Sequence, residues 1–94
     1  MTPVNQKIAE LVRTYRLKAK MTQLQLAGKL DYETPQFVSL IERGVSKVPV
    51  ETLGKLTVIL NTPESKFLSI LTAEYKQTLM GKFNSGRDLV KGKV

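Results

Sequence analysis

The chain has 94 residues, enough for one small domain, and a domain of that size buries little surface, so it needs an economical core or a partner chain. It has no cysteine and no histidine, which excludes a disulfide framework and a Cys-based zinc site and removes the commonest general base and metal ligand. With 15 Lys and Arg against 8 Asp and Glu the net charge is +7; on charge alone a polyanionic partner and an idle, solvated basic surface are both open.

Apolar residues recur at helical spacing almost throughout and no stretch alternates with period two, so the fold class is all-α. A first helix is predicted from about Pro3 to Lys20, capped by Thr2, with Ile8, Leu11, Val12, Tyr15 and Ala19 inward and Arg16 close to that stripe. Thr22 caps a short second helix over Gln23 to Leu30, and Gln25 completes a Thr-x-x-Gln capping box. Leu24, Ala27 and Leu30 share its inner face, with Leu26 close beside. After a turn at Asp31-Tyr32-Glu33, Thr34 caps a third helix opened by Pro35, and Gly44 stops it in a left-handed cap. A loop from Val45 to Pro49 leads to a fourth helix over about Val50 to Leu60, with Leu53, Leu56 and Leu60 inward and Asn61 at its end. Thr62-Pro63 repeats the cap-and-proline start, and a fifth helix runs from about Pro63 to Met80 with a stripe of Phe67, Leu68, Leu71, Tyr75 and Leu79. Asn84-Ser85-Gly86 breaks the pattern, so residues 84–94 are predicted to be a flexible basic tail after a domain spanning 1–83.

The longest apolar run is Val58-Ile59-Leu60, far short of the ~20 residues of a membrane span. Met1 to Lys7 has no apolar stretch of a secretory signal. The expectation is a soluble, cytoplasmic protein with no membrane partner. With no carboxylate pair, His or Cys arrangement for catalysis, no enzyme, cofactor or metal site is expected.

Two short helices joined by a tight turn, the second capped at its start and stopped by Gly, form the helix-turn-helix pattern, here from about Thr22 to Gly44. Met21-Thr22-Gln23-x-x-Leu26-Ala27, then Phe37-Val38-Ser39-x-Ile41-Glu42-Arg43-Gly44, then Glu51-Thr52-Leu53-x-Lys55-Leu56 resembles the Cro/cI-like (phage-repressor-type) family over roughly residues 6–62. The resemblance implies a five-helix, phage-repressor-like DNA-binding domain from a bacterium or phage. It also implies a regulator that binds operator DNA as a dimer. Against the family's usual spacing the turn Asp31-Tyr32-Glu33-Thr34 reads as one residue longer, which leaves the register of base contacts open by about one position.

That resemblance assigns roles. Gln23 reaches a DNA phosphate and braces the recognition helix, with Thr22 more a cap than a contact. Thr34, Pro35, Gln36, Phe37, Ser39, Leu40 and Arg43 lie at the start or on the outer side of the third helix, which enters the major groove. Gln36 is the best base reader, because a carboxamide pairs with adenine N6 and N7, and Ser39 bonds base or phosphate. Leu40 either meets thymine methyls or packs against the fourth helix or a dimer partner. Phe37 either touches sugar and methyl groups or covers the turn beside Tyr32. Arg43 and Lys47 clamp phosphates, and Lys18 and Lys20 add long-range attraction. Arg16 and Glu42 stand where the family has a structural ion pair.

Leu71, Tyr75, Leu79, Met80 and Phe83 are read as a homodimerisation stripe, the alternative being that they wrap the protein's own core. The leading expectation is a repressor of a palindromic operator in double-stranded DNA. The alternatives are the antitoxin of a toxin–antitoxin pair, with a toxin or other regulator as protein partner, and a sequence-blind DNA-packaging protein.

Overall fold

In a computed structural model, which describes residues 3–92, five helices follow one another: α1 (Val4–Lys18), α2 (Gln23–Lys29), α3 (Gln36–Glu42), α4 (Val50–Ile59) and α5 (Glu64–Lys91). Among the described residues there is no strand. Thr2, expected to cap α1, lies outside them; Pro3 occupies the cap position, and its carbonyl accepts from the amides of Gln6 and Lys7 at 3.0 and 3.2 Å.

The core is one apolar cluster. Ile8 and Val12 of α1, Leu26 and Ala27 of α2, Val38 and Ile41 of α3, Leu53 and Leu56 of α4 and Phe67 of α5 are all buried in it. Leu30, Val48 and Leu60 close its edges from the segments between helices. Leu11 and Tyr15 pack on it half-buried, whereas Ala19 is exposed. On α2 the expected face is rotated: Leu24 is exposed and Leu26 is fully buried. At 100° per residue, Leu26, Ala27 and Leu30 fit within roughly one 100° arc, and Leu24 falls outside it.

Each of the first four helices ends in the same device. The residue beyond the cap turns left-handed, at Lys20, Asp31, Gly44 and Asn61 with φ of 57, 67, 72 and 52°. Two backbone bonds then fold the chain back over the last turn. For α2 these are Tyr32 N–H to the Ala27 carbonyl at 2.9 Å and Asp31 N–H to Gly28 at 3.1 Å. For α3 they are Val45 N–H to Leu40 at 3.3 Å and Gly44 N–H to Ile41 at 3.0 Å. This is the Schellman motif, which satisfies carbonyls that a helix end otherwise leaves bare.

Two starts differ from the sequence expectation. The loop between α2 and α3 runs from Leu30 to Pro35 and α3 begins at Gln36, so Pro35 is the flanking residue and Thr34 makes no cap bond. Thr62 does not cap α5 either: Pro63 holds that position, and the Thr62 hydroxyl is buried without a hydrogen-bond partner among the described residues. In both places the proline sits one position earlier than expected and displaces the threonine from the cap.

The largest difference is at the C-terminus. α5 continues unbroken to Lys91, so residues 84–91 are helix where a flexible tail was expected; residues 93 and 94 lie outside the described part. Asn84, Ser85 and Gly86 are weak helix formers and not breakers: even Gly costs only about 1 kcal/mol, and no proline follows Pro63. The result is an elongated molecule of 60 × 24 × 22 Å, in which every residue from Thr72 to Gly92 is exposed.

Candidate nucleic-acid interface

α2 and α3 are set against each other by their inner faces, and each owes its position to local chemistry. The α2 start is a complete capping box: Gln25 N–H donates to the Thr22 hydroxyl at 3.0 Å, and Thr22 N–H donates to the Gln25 carboxamide at 2.8 Å. In the loop to α3, Asp31 takes the left-handed position that small residues usually fill. Tyr32 stacks on Phe37 with ring centroids 4.8 Å apart and planes tilted by 40°. Phe37 also packs against the core, so its ring covers the turn.

Behind α3 lies a polar cluster that ties three helices together. Arg16 of α1 donates to both carboxylate oxygens of Glu42 of α3, Nε to Oε2 at 2.6 Å and Nη2 to Oε1 at 2.9 Å. Its remaining arm, Nη1, donates to the Met21 carbonyl at 2.8 Å in the turn leading to α2. Gln23 of α2 donates from Nε2 to Glu42 Oε1 at 3.3 Å. The two charged side chains are only 10 and 5% exposed. The hydrogen bonds from Arg16 to Glu42 raise the guanidinium above its ordinary value, with the carboxylate charge acting the same way and burial opposing them.

The opposite, outward side of α3 carries a different set. Pro35, Gln36 and Arg43 are exposed, Ser39 and Leu40 are half-buried, and Leu40 stands outside the residues that pack on the core. Thr22 and Thr34 are exposed at the two ends of the preceding segment, and Lys47 is exposed in the loop after α3. Neither Arg43 nor Lys47 has a carboxylate partner among the described residues. Lys18, by contrast, lies over the Tyr15 ring, 4.9 Å from its centre. Gln23 faces inward, onto Glu42, with its carboxamide nitrogen.

One contributor was not visible in the sequence. Gln6 of α1 lies against Gly44: a Cβ at that glycine would sit 2.7 Å from Gln6 Oε1. The end of α3 thus comes close to α1 at a second point besides Arg16. The glycine is legible as a cap, but nothing in the local pattern names the residue that covers it.

A rigidly seated helix with a polar, cation-flanked outer face, preceded by a capped helix and a tight turn, defines a helix-turn-helix DNA-binding domain. The chain belongs to the helix-turn-helix family of the Cro/cI type, whose model matches residues 12–67, more than half of the chain. That membership makes it a DNA-binding transcriptional regulator. No curated protein and no solved structure matches the chain significantly. Among the described residues no helix is long and apolar enough to cross a membrane.

Proposed function

We propose that the chain is a sequence-specific repressor that binds a palindromic operator as a homodimer in the cytoplasm. The observation that carries this reading is the division of α3 into two sides. Its inner side is locked by Val38, Ile41 and the Arg16–Glu42–Gln23 cluster, while Gln36, Ser39 and Arg43 remain free on the outer side. A fixed helix with unsatisfied donors and acceptors is what base reading in the major groove requires. Gln36 reads a base, Ser39 bonds base or phosphate, and Arg43 and Lys47 hold the phosphates on either side. Thr22 and Gln23 meet the backbone at the start of α2, Thr22 by its hydroxyl proton and Gln23 by its main-chain N–H, since the Thr22 amide is taken by Gln25 and the Gln23 carboxamide nitrogen by Glu42. Leu40 meets thymine methyls, because it is half-buried without joining the core.

Selection of bound duplexes from a random DNA pool tests the reading. The expected result is a single motif with two-fold symmetry. Binding that is tight but returns no motif means that the protein packages DNA and does not read it.

A further inference from the structure

The exposed part of α5 has an order that neither the core nor DNA reading uses. Leu68, Tyr75, Leu79, Phe83 and Val90 are each 50 to 69% exposed. At 100° per residue they fall within roughly one 80° arc, so they form a single stripe down the helix. Their spacing is symmetric: Tyr75 and Phe83 stand four residues on either side of Leu79, and Leu68 and Val90 stand eleven on either side. Thr72 and Gly86 stand seven on either side and keep the stripe low where another backbone would approach. An eleven-residue repeat keeps the stripe nearly straight along a helix. The distal part of α5 also lies outside the family match, which ends at residue 67.

We infer that α5 pairs antiparallel with α5 of a second copy of this chain, about a two-fold axis at Leu79. This rests on the homodimer reading above and specifies its geometry. A palindromic stripe is what an antiparallel isologous pair requires, because each residue then meets the one equally far beyond the axis. Tyr75 meets the partner's Phe83, Leu68 meets the partner's Val90, and Leu79 meets its own copy. Met80 falls off the stripe, and Leu71 is half-buried against the protein's own core, so neither is central.

A second copy is the occupant that the dimensions favour. Aromatic side chains bury ~150–250 Å² each. Four such rings, a third of each already covered, and six aliphatic side chains at least half exposed come, if fully covered, to roughly the 1,200 Å² at which specific interfaces begin. At 1.5 Å per residue the pair also sets the buried anchors Phe67 of the two copies about 36 Å apart along the helix axis. Successive half-sites on one face of DNA lie ~34–36 Å apart. The separation of the two Phe67 anchors is thus comparable with one turn of the duplex.

The absence of cysteine from the chain makes a clean test. The full chain is prepared with Leu68→Cys, Leu79→Cys, Val90→Cys or, as a control off the stripe, Ser85→Cys, and oxidised without DNA. All four positions are exposed, and circular dichroism checks that the helices remain. The expected result is that Leu79→Cys forms a covalent dimer alone. Leu68→Cys and Val90→Cys do so only when mixed with each other, and Ser85→Cys does not. Self-crosslinking at 68, 79 and 90 alike means a parallel pair and overturns the proposal. So does the absence of a stripe crosslink with unmodified chain sedimenting as a monomer, which leaves the stripe to a different protein. Because no DNA is present, either failure is distinct from failure of DNA reading, which the selection experiment alone decides.

Discussion

Arg16 and Glu42 face each other across the α1–α3 contact in a two-pronged pair, 2.6 and 2.9 Å long, and the arginine's third arm closes the turn into α2 at the Met21 carbonyl. Three segments of the DNA-binding unit thus meet on one guanidinium. Removing either partner strands a charge in a nearly dry place, which costs about 3–5 kcal/mol. Urea unfolding of Arg16→Ala and Glu42→Ala should each show that loss. The double variant should lose much less than their sum, because no lone charge remains. Arg16→Lys should recover only part, since an ammonium cannot form the fork. The pH dependence has a definite sign. A guanidinium raised above its ordinary value contributes fully below that value and fails only as pH rises through the higher folded one. Stability should therefore show no Arg16-linked loss between neutral and moderately alkaline buffers.

The outer face of α3 separates reading from holding. Gln36→Ala should weaken operator binding by ~1–3 kcal/mol and relax the preference at one position of the motif. Lys47→Ala should weaken operator and random duplex alike and reduce the slope of log K against log salt by about 0.9. Equal losses on both DNAs for Gln36→Ala would remove that residue as a base reader.

The left-handed residues at the helix ends give opposite outcomes by position. Gly44→Ala places a Cβ at φ +72°, 2.7 Å from Gln6 Oε1. It should cost about 1–2 kcal/mol, with DNA affinity falling further because α3 ends there. Lys20 occupies the same conformation with a full side chain, so Lys20→Gly should stabilise by roughly 0.5–1 kcal/mol. Thermal midpoints of the two variants check both signs.

Thr62 carries a buried hydroxyl with no partner among the described residues. Thr62→Val keeps the shape and removes the unmet polar group, so stability should be unchanged or higher by about 1 kcal/mol. A loss in the calorimetric midpoint would mean that the hydroxyl has a partner after all.

The helices were legible because their apolar spacing and caps are local. Thr22 and Gln25 announce the start of α2, and Gly44 announces the end of α3. The Arg16–Glu42 contact was legible only through the family motif, since nothing local joins residues 26 positions apart. What the local pattern misplaced depends on competition between neighbours. Thr34 and Thr62 have the chemistry of caps, but the prolines after them take the cap position. Leu24 and Leu26 are equally apolar, and only the docking of α3 decides which is buried. The left-handed turns at Lys20 and Asp31 carry no glycine to betray them. The break expected at Asn84-Ser85-Gly86 failed because propensity is a weak prior within a long helix. At the interface, the start of the recognition helix was misplaced by one residue in sequence, because Pro35 flanks α3 and Gln36 opens it.

The bare length of α5 from Thr72 to Gly92 has a consequence for the lifetime of the molecule. On the pairing proposed above, that length is covered only in the dimer, so limited proteolysis of the full chain should cut α5 between Thr72 and Gly92 faster as the protein is diluted.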